Sequence, residues 1–357
     1  MAEQVLPIAL EERVMSTLRA ADLKSYAAAL LTAGGFAQVH AEKTADILVW
    51  ANARGADSHG VLRIPRYIEM VELGKIDPSA IPVIEKRSGS VAVLDAMNAP
   101  GAFSMTAAMD EAIDLASQFS IGWCSAQNIT HAGAVGYYAL QAAMRGYVGI
   151  VMTASGPLMA YHGARVSGVS TNPISIGAPS SGRPLLLDMS TSTVALGKIM
   201  FAKDAGKQIP EGWGIDANGT PVTDPQKVAT VTPLGGPKGS GLSLMIEVLS
   251  SVLIGNPVIS KALSGQGGSM NGVAMALNIS AFSNPDSFAD QIATLAASIK
   301  SLPKAEGTDA ILMPGERGFL LSEARNESGI PVAEGTLKRL STLAERFGVE
   351  APAVYTA

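Results

Sequence analysis

The chain has 357 residues, with 31 acidic against 26 basic side chains and a formal charge of −5. That balance, with aromatics at only 5%, excludes the basic, aromatic-lined surface that a nucleic-acid binder needs. The length allows two domains with a sizeable core. The one cysteine, Cys124 in the apolar run Ile121-Gly122-Trp123-Cys124, precludes an intrachain disulfide framework and reads as a small buried residue.

The opening Met1-Ala2-Glu3-Gln4 carries no basic stretch ahead of an apolar one. No signal peptide is expected, and a cytoplasmic setting is. Ala37, Ala41, Ala45 and Leu48 recur at helical spacing, and Gly55 follows as a stop. A short strand is expected over 90–95 and a helix over about 102–119. From Gly122 onward, β-type runs at 147–153, 173–176, 184–187 and 272–279 alternate with turns, with a helix between 134 and 145. Residues 203–237 are rich in Gly, Pro, Asp and Lys and look like an excursion from the core. The longest apolar stretch, 242–254, contains Ser243, Glu247, Ser250 and Ser251. It falls short of the roughly 20 residues that span a bilayer. Leu337, Leu340, Ala344 and Phe347 mark a last helix. The content is mixed α/β, but no Gly-x-Gly-x-x-Gly follows an early strand, so no Rossmann fingerprint is present.

Four clusters carry chemistry. In Asp57-Ser58-His59-Gly60-Val61-Leu62-Arg63, the imidazole can exchange a proton near neutral pH and the guanidinium can clamp a carboxylate. In His131-Ala132-Gly133-Ala134-Val135-Gly136, glycines let a ligand lie against the backbone beside a second histidine. Leu187-Asp188-Met189-Ser190 ends an apolar strand, where Asp188 could orient a histidine, accept from a ribose hydroxyl or cap a helix. Leu234-Gly235-Gly236-Pro237-Lys238-Gly239-Ser240-Gly241 reads equally as a pyrophosphate cradle and as a tight turn feeding a buried helix. His40 reads as a solvated helix residue and His162 as a loop residue without a partner. Four scattered histidines and one cysteine give no metal-ligand spacing. Ser58, His59 and Asp188 are also the residue types of a hydrolytic triad. Adjacent residues in an extended segment would point apart, however, and no Gly-x-Ser-x-Gly elbow is present. A nucleotide-binding protein without turnover is the third reading.

In this order the clusters resemble the type 2 malate/L-lactate dehydrogenase family. The resemblance is carried by Ala56-Asp57-Ser58-His59-Gly60-Val61 with Arg63, His131-Ala132-Gly133, Thr171-Asn172-Pro173, Asp188-Met189-Ser190-Thr191-Ser192, Ile209-Pro210-Glu211-Gly212-Trp213 and Lys238-Gly239-Ser240-Gly241-Leu242. It implies NAD- or NADP-dependent interconversion of a 2-oxo acid, or a cyclic 2-imino acid, with its reduced partner. It implies a non-Rossmann cofactor domain on a mainly antiparallel sheet over 121–310, with 197–235 as an excursion, and a helical domain from 1–120 with 311–357. It further implies a homodimer acting on a small carboxylate, with neither nucleic acid nor membrane as partner. By position, His59 is the acid/base residue with Ser58 beside it and Asp188 as relay partner. In some relatives the histidine matching His131 takes that role. Arg63 and Tyr67 match substrate contacts, and His131, Gly133, Ser155, Asp188, Met189, Ser190, Lys238 and Gly239 match cofactor contacts. Two positions depart from the family pattern: Ser170 stands where Gly usually precedes Thr-Asn-Pro, and Ser240 where a large residue is frequent.

Overall fold

The computed structural model describes residues 15–204, 206–267 and 269–353. The N-terminal stretch behind the signal-peptide reading lies outside them. At the centre is a seven-stranded sheet in the order Val83–Ser88, Val91–Asp95, Ile121–Ile129, Met270–Asn278, Tyr147–Ala154, Ile174–Ala178, Leu185–Met189. Five of its six pairings are antiparallel, and only Val91–Asp95 with Ile121–Ile129 is parallel. The two middle strands bury Cys124, Ala126, Val273, Ala274 and Ala276 completely, as a sheet covered on both faces requires.

One face is covered by helices Gly101–Phe119 and Gly136–Met144, brought close by small residues. A Cβ on Gly122 would sit 1.8 Å from the Ala112 carbonyl oxygen, and one on Gly177 would sit 2.4 Å from that of Ala139. The other face packs Met152 and Val273 against Ile246 of helix Pro237–Glu247, which continues as a π-turn over Val248–Val252. Burial raises the Cys124 thiol pKa to about 12, with the Glu111 carboxylate adding to the effect, as an inert core thiol requires.

A second core is helical. Ala20–Ala33, Gln38–Ala53 and Ile64–Glu72 pack with the C-terminal helix Glu334–Phe347 around Leu23, Leu30, Ile68 and Leu340. Strand Met15–Leu18 pairs antiparallel with Ile330–Ala333, joining the two ends of the described chain. The 83–95 hairpin forms one side of the large sheet, and helix Gly101–Phe119 packs on its face. The excursion forms a small four-stranded sheet, but it recruits Met159–Ala160 and Ser167–Val169 as well as Gly214–Ile215 and Thr230–Val231. Helix Leu196–Asp204 packs on it through Ile199 and Ala202. Among the described residues, no helix is long and apolar enough to cross a membrane.

Candidate active site

The site begins where helix Gln38–Ala53 stops. Gly55 takes φ +77°, a left-handed conformation suited to glycine. Asn52 then folds the following segment back on itself. Its Nδ2 donates to Asp57 Oδ1 at 2.7 Å and its Oδ1 accepts the Val61 N–H at 2.8 Å. A Cβ on Gly60 would lie 2.1 Å from that Oδ1, so the fold-back needs glycine there. The result is two successive 3-10 turns, Asp57–His59 and Val61–Arg63, feeding helix Ile64–Glu72. This corrects the extended geometry expected from sequence. In the turn, Ser58 Oγ and His59 Nδ1 stand 2.9 Å apart, within hydrogen-bond reach. Arg63 Nε donates to the Ser58 carbonyl at 2.7 Å, fixing the guanidinium beside both residues. Gly197, opening the excursion's helix, packs on Ser58, and a Cβ there would meet Ser58 Cβ at 2.7 Å.

His131 arrives from the end of strand Ile121–Ile129. Its ring stacks nearly parallel to that of His59, with centroids 5.6 Å apart and planes 21° from each other. Tyr67, from helix Ile64–Glu72, places its hydroxyl 2.7 Å from His131 Nδ1. Removal from water lowers the His59 pKa to about 4, with the Arg63 charge adding to the effect. His131 is held well below the ordinary imidazole value by burial first, then by His59 and Arg63. Both rings are therefore neutral at pH 7, although each is half-buried and keeps an edge toward solvent.

Asp188 lies apart from this pair. Its Oδ2 accepts the Gly136 N–H at 3.0 Å, and a Cβ on Gly136 would lie 2.5 Å from that oxygen. Surrounding protein raises its pKa to about 6, opposed by the Gly136 N–H and the Arg54 charge, while the residue stays exposed to solvent. Sequence reasoning missed Arg54. Its guanidinium sits over the rings of Trp50 at 4.9 Å and Phe319 at 4.1 Å and donates to the Gly315 carbonyl at 3.1 Å. A Ser58–His59–Asp188 triad is thus only two-thirds assembled, because the bonded partner of Asp188 is a backbone amide. The signal for Arg54 was its place at the helix end beside the Asp57–Arg63 cluster.

The other predicted positions fall along the sheet edge and the neighbouring loops. Gly133, at φ +72°, donates its N–H to His131 Nδ1 at 3.3 Å. Ser155 receives support on two sides: its N–H donates to Asn172 Oδ1 at 3.2 Å, and its hydroxyl meets that of Ser170 at 2.5 Å. Ser170, the departure from the family pattern, is completely buried. Met189 ends strand Leu185–Met189, and the Ser190 hydroxyl lies 3.0 Å from that of Ser192. The glycine loop favours the packing reading over the cradle. The Lys238, Gly239 and Ser240 amides already bond the Gly235, Leu234 and Gly236 carbonyls. Gly239 is buried against the Thr191 carbonyl and the Leu234 backbone, so what the loop offers a ligand is the exposed Lys238 side chain.

One histidine expectation changes. His40 is not solvated but 2% exposed, its ring tilted 47° against Phe103 at 4.0 Å between centroids and its Nδ1 2.8 Å from the Pro78 carbonyl. His162 lies in a loop as read, where its backbone N–H donates to Ser240 Oγ at 2.8 Å. Among the described residues, no cluster of three His, Cys, Asp or Glu could hold a metal ion.

The sequence model for malate/L-lactate dehydrogenase matches residues 18–341. A malate dehydrogenase of Pyrococcus abyssi is 36% identical over 342 residues, covering 92% of this chain and 94% of the relative. The ureidoglycolate dehydrogenase (NAD(+)) of Escherichia coli K12 is 31% identical, covering 85% of this chain and 89% of the relative. The crystal structure of malate dehydrogenase from Entamoeba histolytica superposes with a TM-score of 0.89 at 27% identity, covering 95% of this chain and all of that one.

Proposed function

The chain belongs to the malate/L-lactate dehydrogenase family and is a nicotinamide-dependent dehydrogenase, and from that premise we propose that it interconverts a small 2-oxo acid, or a cyclic 2-imino acid, with the matching 2-hydroxy acid or cyclic amino acid. The observation that carries this reading is the pair of neutral, stacked imidazoles beside Arg63. No ion pair between Arg63 and a carboxylate is present among the described residues, so its charge is open to a substrate acid group.

The residues present fit a nicotinamide dinucleotide. Thr191 Oγ1, next to Ser190, is completely buried without a hydrogen-bond partner, a hydroxyl that a ligand amide or ribose would satisfy. The Ser155–Ser170 hydroxyl pair and the Lys238 ammonium supply further donors. Bound, the cofactor supplies or accepts the hydride at the substrate carbon beside the carboxylate. We assign the helical layer and the sheet layer as substrate and cofactor units, the latter outside the Rossmann pattern, and a homodimer as the working assembly.

The chain's own part is positioning and proton transfer. Arg63 holds the carboxylate so that one face of the substrate is presented. Oxidation of a hydroxy acid needs a neutral base, and both imidazoles start neutral. Reduction needs a proton donor. A carboxylate paired with Arg63 cancels one cause of the low histidine pKa values, so substrate binding itself raises the proton affinity of His59. The test is nicotinamide oxidation against pyruvate, oxaloacetate, phenylpyruvate, diketogulonate and cyclic imino acids, with both NADH and NADPH. Turnover of none of these acid classes would remove the reading. His59→Ala should lower turnover about 100-fold or more.

A further inference from the structure

Nδ1 of His131 faces two groups, and their chemistry decides which tautomer the ring adopts. The Gly133 N–H, 3.3 Å away, can only donate. An Nδ1 that accepts carries no hydrogen, so the Tyr67 hydroxyl at 2.7 Å donates as the main partner of its one lone pair, which the longer Gly133 contact shares. Burial raises the Tyr67 pKa further above its ordinary value, so the phenol keeps that proton throughout the working pH range. The cavity beside this bond, lined by Thr44, Tyr67, Thr130 and His131 among others, measures about 10 Å³. That is room for about one water, not for a substrate.

We propose that Tyr67 is a positioning residue: with the Gly133 amide it locks neutral His131 as the Nε2–H tautomer, a fixed hydrogen-bond donor to the substrate oxygen or nitrogen, and leaves His59 to exchange the proton. The donor role in catalysis rests on the function proposed above; the tautomer does not. Family position matched Tyr67 to substrate contact, whereas here its hydroxyl is spent on His131 and the residue is 7% exposed. A neutral imidazole is a useful polariser because it donates without giving up its proton, which frees the second ring for the transfer step. The Ser58 hydroxyl at His59 Nδ1 can turn either way, donating or accepting, so that ring is not locked.

The test combines histidine 15N NMR with kinetics of Tyr67→Phe, which keeps the ring packed in the helical core. In the unaltered enzyme, His131 should show an unprotonated Nδ1 and a protonated Nε2 from neutral pH downward past the titration of an ordinary histidine. In Tyr67→Phe the Nε2–H preference should weaken, and kcat should fall about 10-fold with KM held within about twofold. A protonated Nδ1 in the unaltered enzyme overturns the proposal. So does a variant whose KM rises while kcat and tautomer stay put, since that marks a substrate contact. If no 2-oxo or 2-imino acid is turned over, the proposed function fails while the NMR signature still decides the tautomer. If the variant does not fold, the unaltered enzyme's spectrum decides alone.

Discussion

Lowering the pH from about 8 to about 5 should leave kcat/KM for hydroxy-acid oxidation nearly unchanged. The base must be neutral, and His59 has its pKa lowered to about 4 by desolvation and Arg63. At pH 5 such a ring is roughly nine-tenths neutral, whereas an imidazole of ordinary value would be only about 3% neutral. The two cases differ about 30-fold in the active fraction, far beyond assay error. His131 is shifted in the same direction, by burial first and then by His59 and Arg63. Asp188, whose pKa is raised to about 6, titrates inside the same window. The assay is therefore the full pH profile of kcat/KM, followed by nicotinamide absorbance, for the unaltered enzyme and for Asp188→Asn. A limb near pH 6 that disappears in the variant belongs to Asp188. A loss of activity centred near pH 6.5 that survives Asp188→Asn would refute the claim that the imidazoles are held neutral.

In the reductive direction kcat/KM should rise about tenfold per unit as pH falls toward 4, because the free enzyme's histidines are mostly unprotonated above that; a flat profile contradicts this. The corresponding kcat should stay high to a higher pH, since a bound carboxylate offsets Arg63. Gly197→Ala should cost about 10- to 100-fold in kcat/KM, because the new Cβ meets Ser58 Cβ at 2.7 Å and must displace it or the helix. Its unfolding free energy should stay within about 1 kcal/mol, alanine being the better helix residue; retained activity would show that the contact relaxes freely. Glu247→Ala should destabilise by about 2–4 kcal/mol in urea unfolding, since Glu247 Oε1 accepts the buried Val258 and Ile259 amides at 2.7 and 2.9 Å. A change below about 0.5 kcal/mol would mean that water replaces the carboxylate.

Periodicity and punctuation made much of the fold legible. The 102–119 expectation became helix Gly101–Phe119, and 147–153 became strand Tyr147–Ala154. Strand Val83–Ser88 escaped notice because Glu85 and Arg87 make it a charged sheet edge, which lacks the alternation of a half-buried strand. Helix Pro285–Lys300 also went unread, although Asn284 caps it and Pro285 opens it. It buries no residue, although Phe288, Ile292, Leu295 and Ile299 recur along it at helical spacing. At the site, the motifs gave the residue types but not their contacts. The Ser58–His59 approach depends on Asn52 folding the turn, and the Tyr67–His131 bond joins residues 64 positions apart. His40 misled because Gln38, Glu42 and Lys43 surround it in sequence, while Phe103 and Pro78 surround it in space.

The pairing of Met15–Leu18 with Ile330–Ala333 sets an order on biogenesis. During synthesis the sheet can close once its last strand, Met270–Asn278, has left the ribosome. The first helices must then wait through the making of the rest of the chain before Ile330, Leu340 and Ala344 arrive to seal them. Arg63 and His59 ride on that waiting layer, so the nascent protein acquires its chemistry last, after its scaffold is already built.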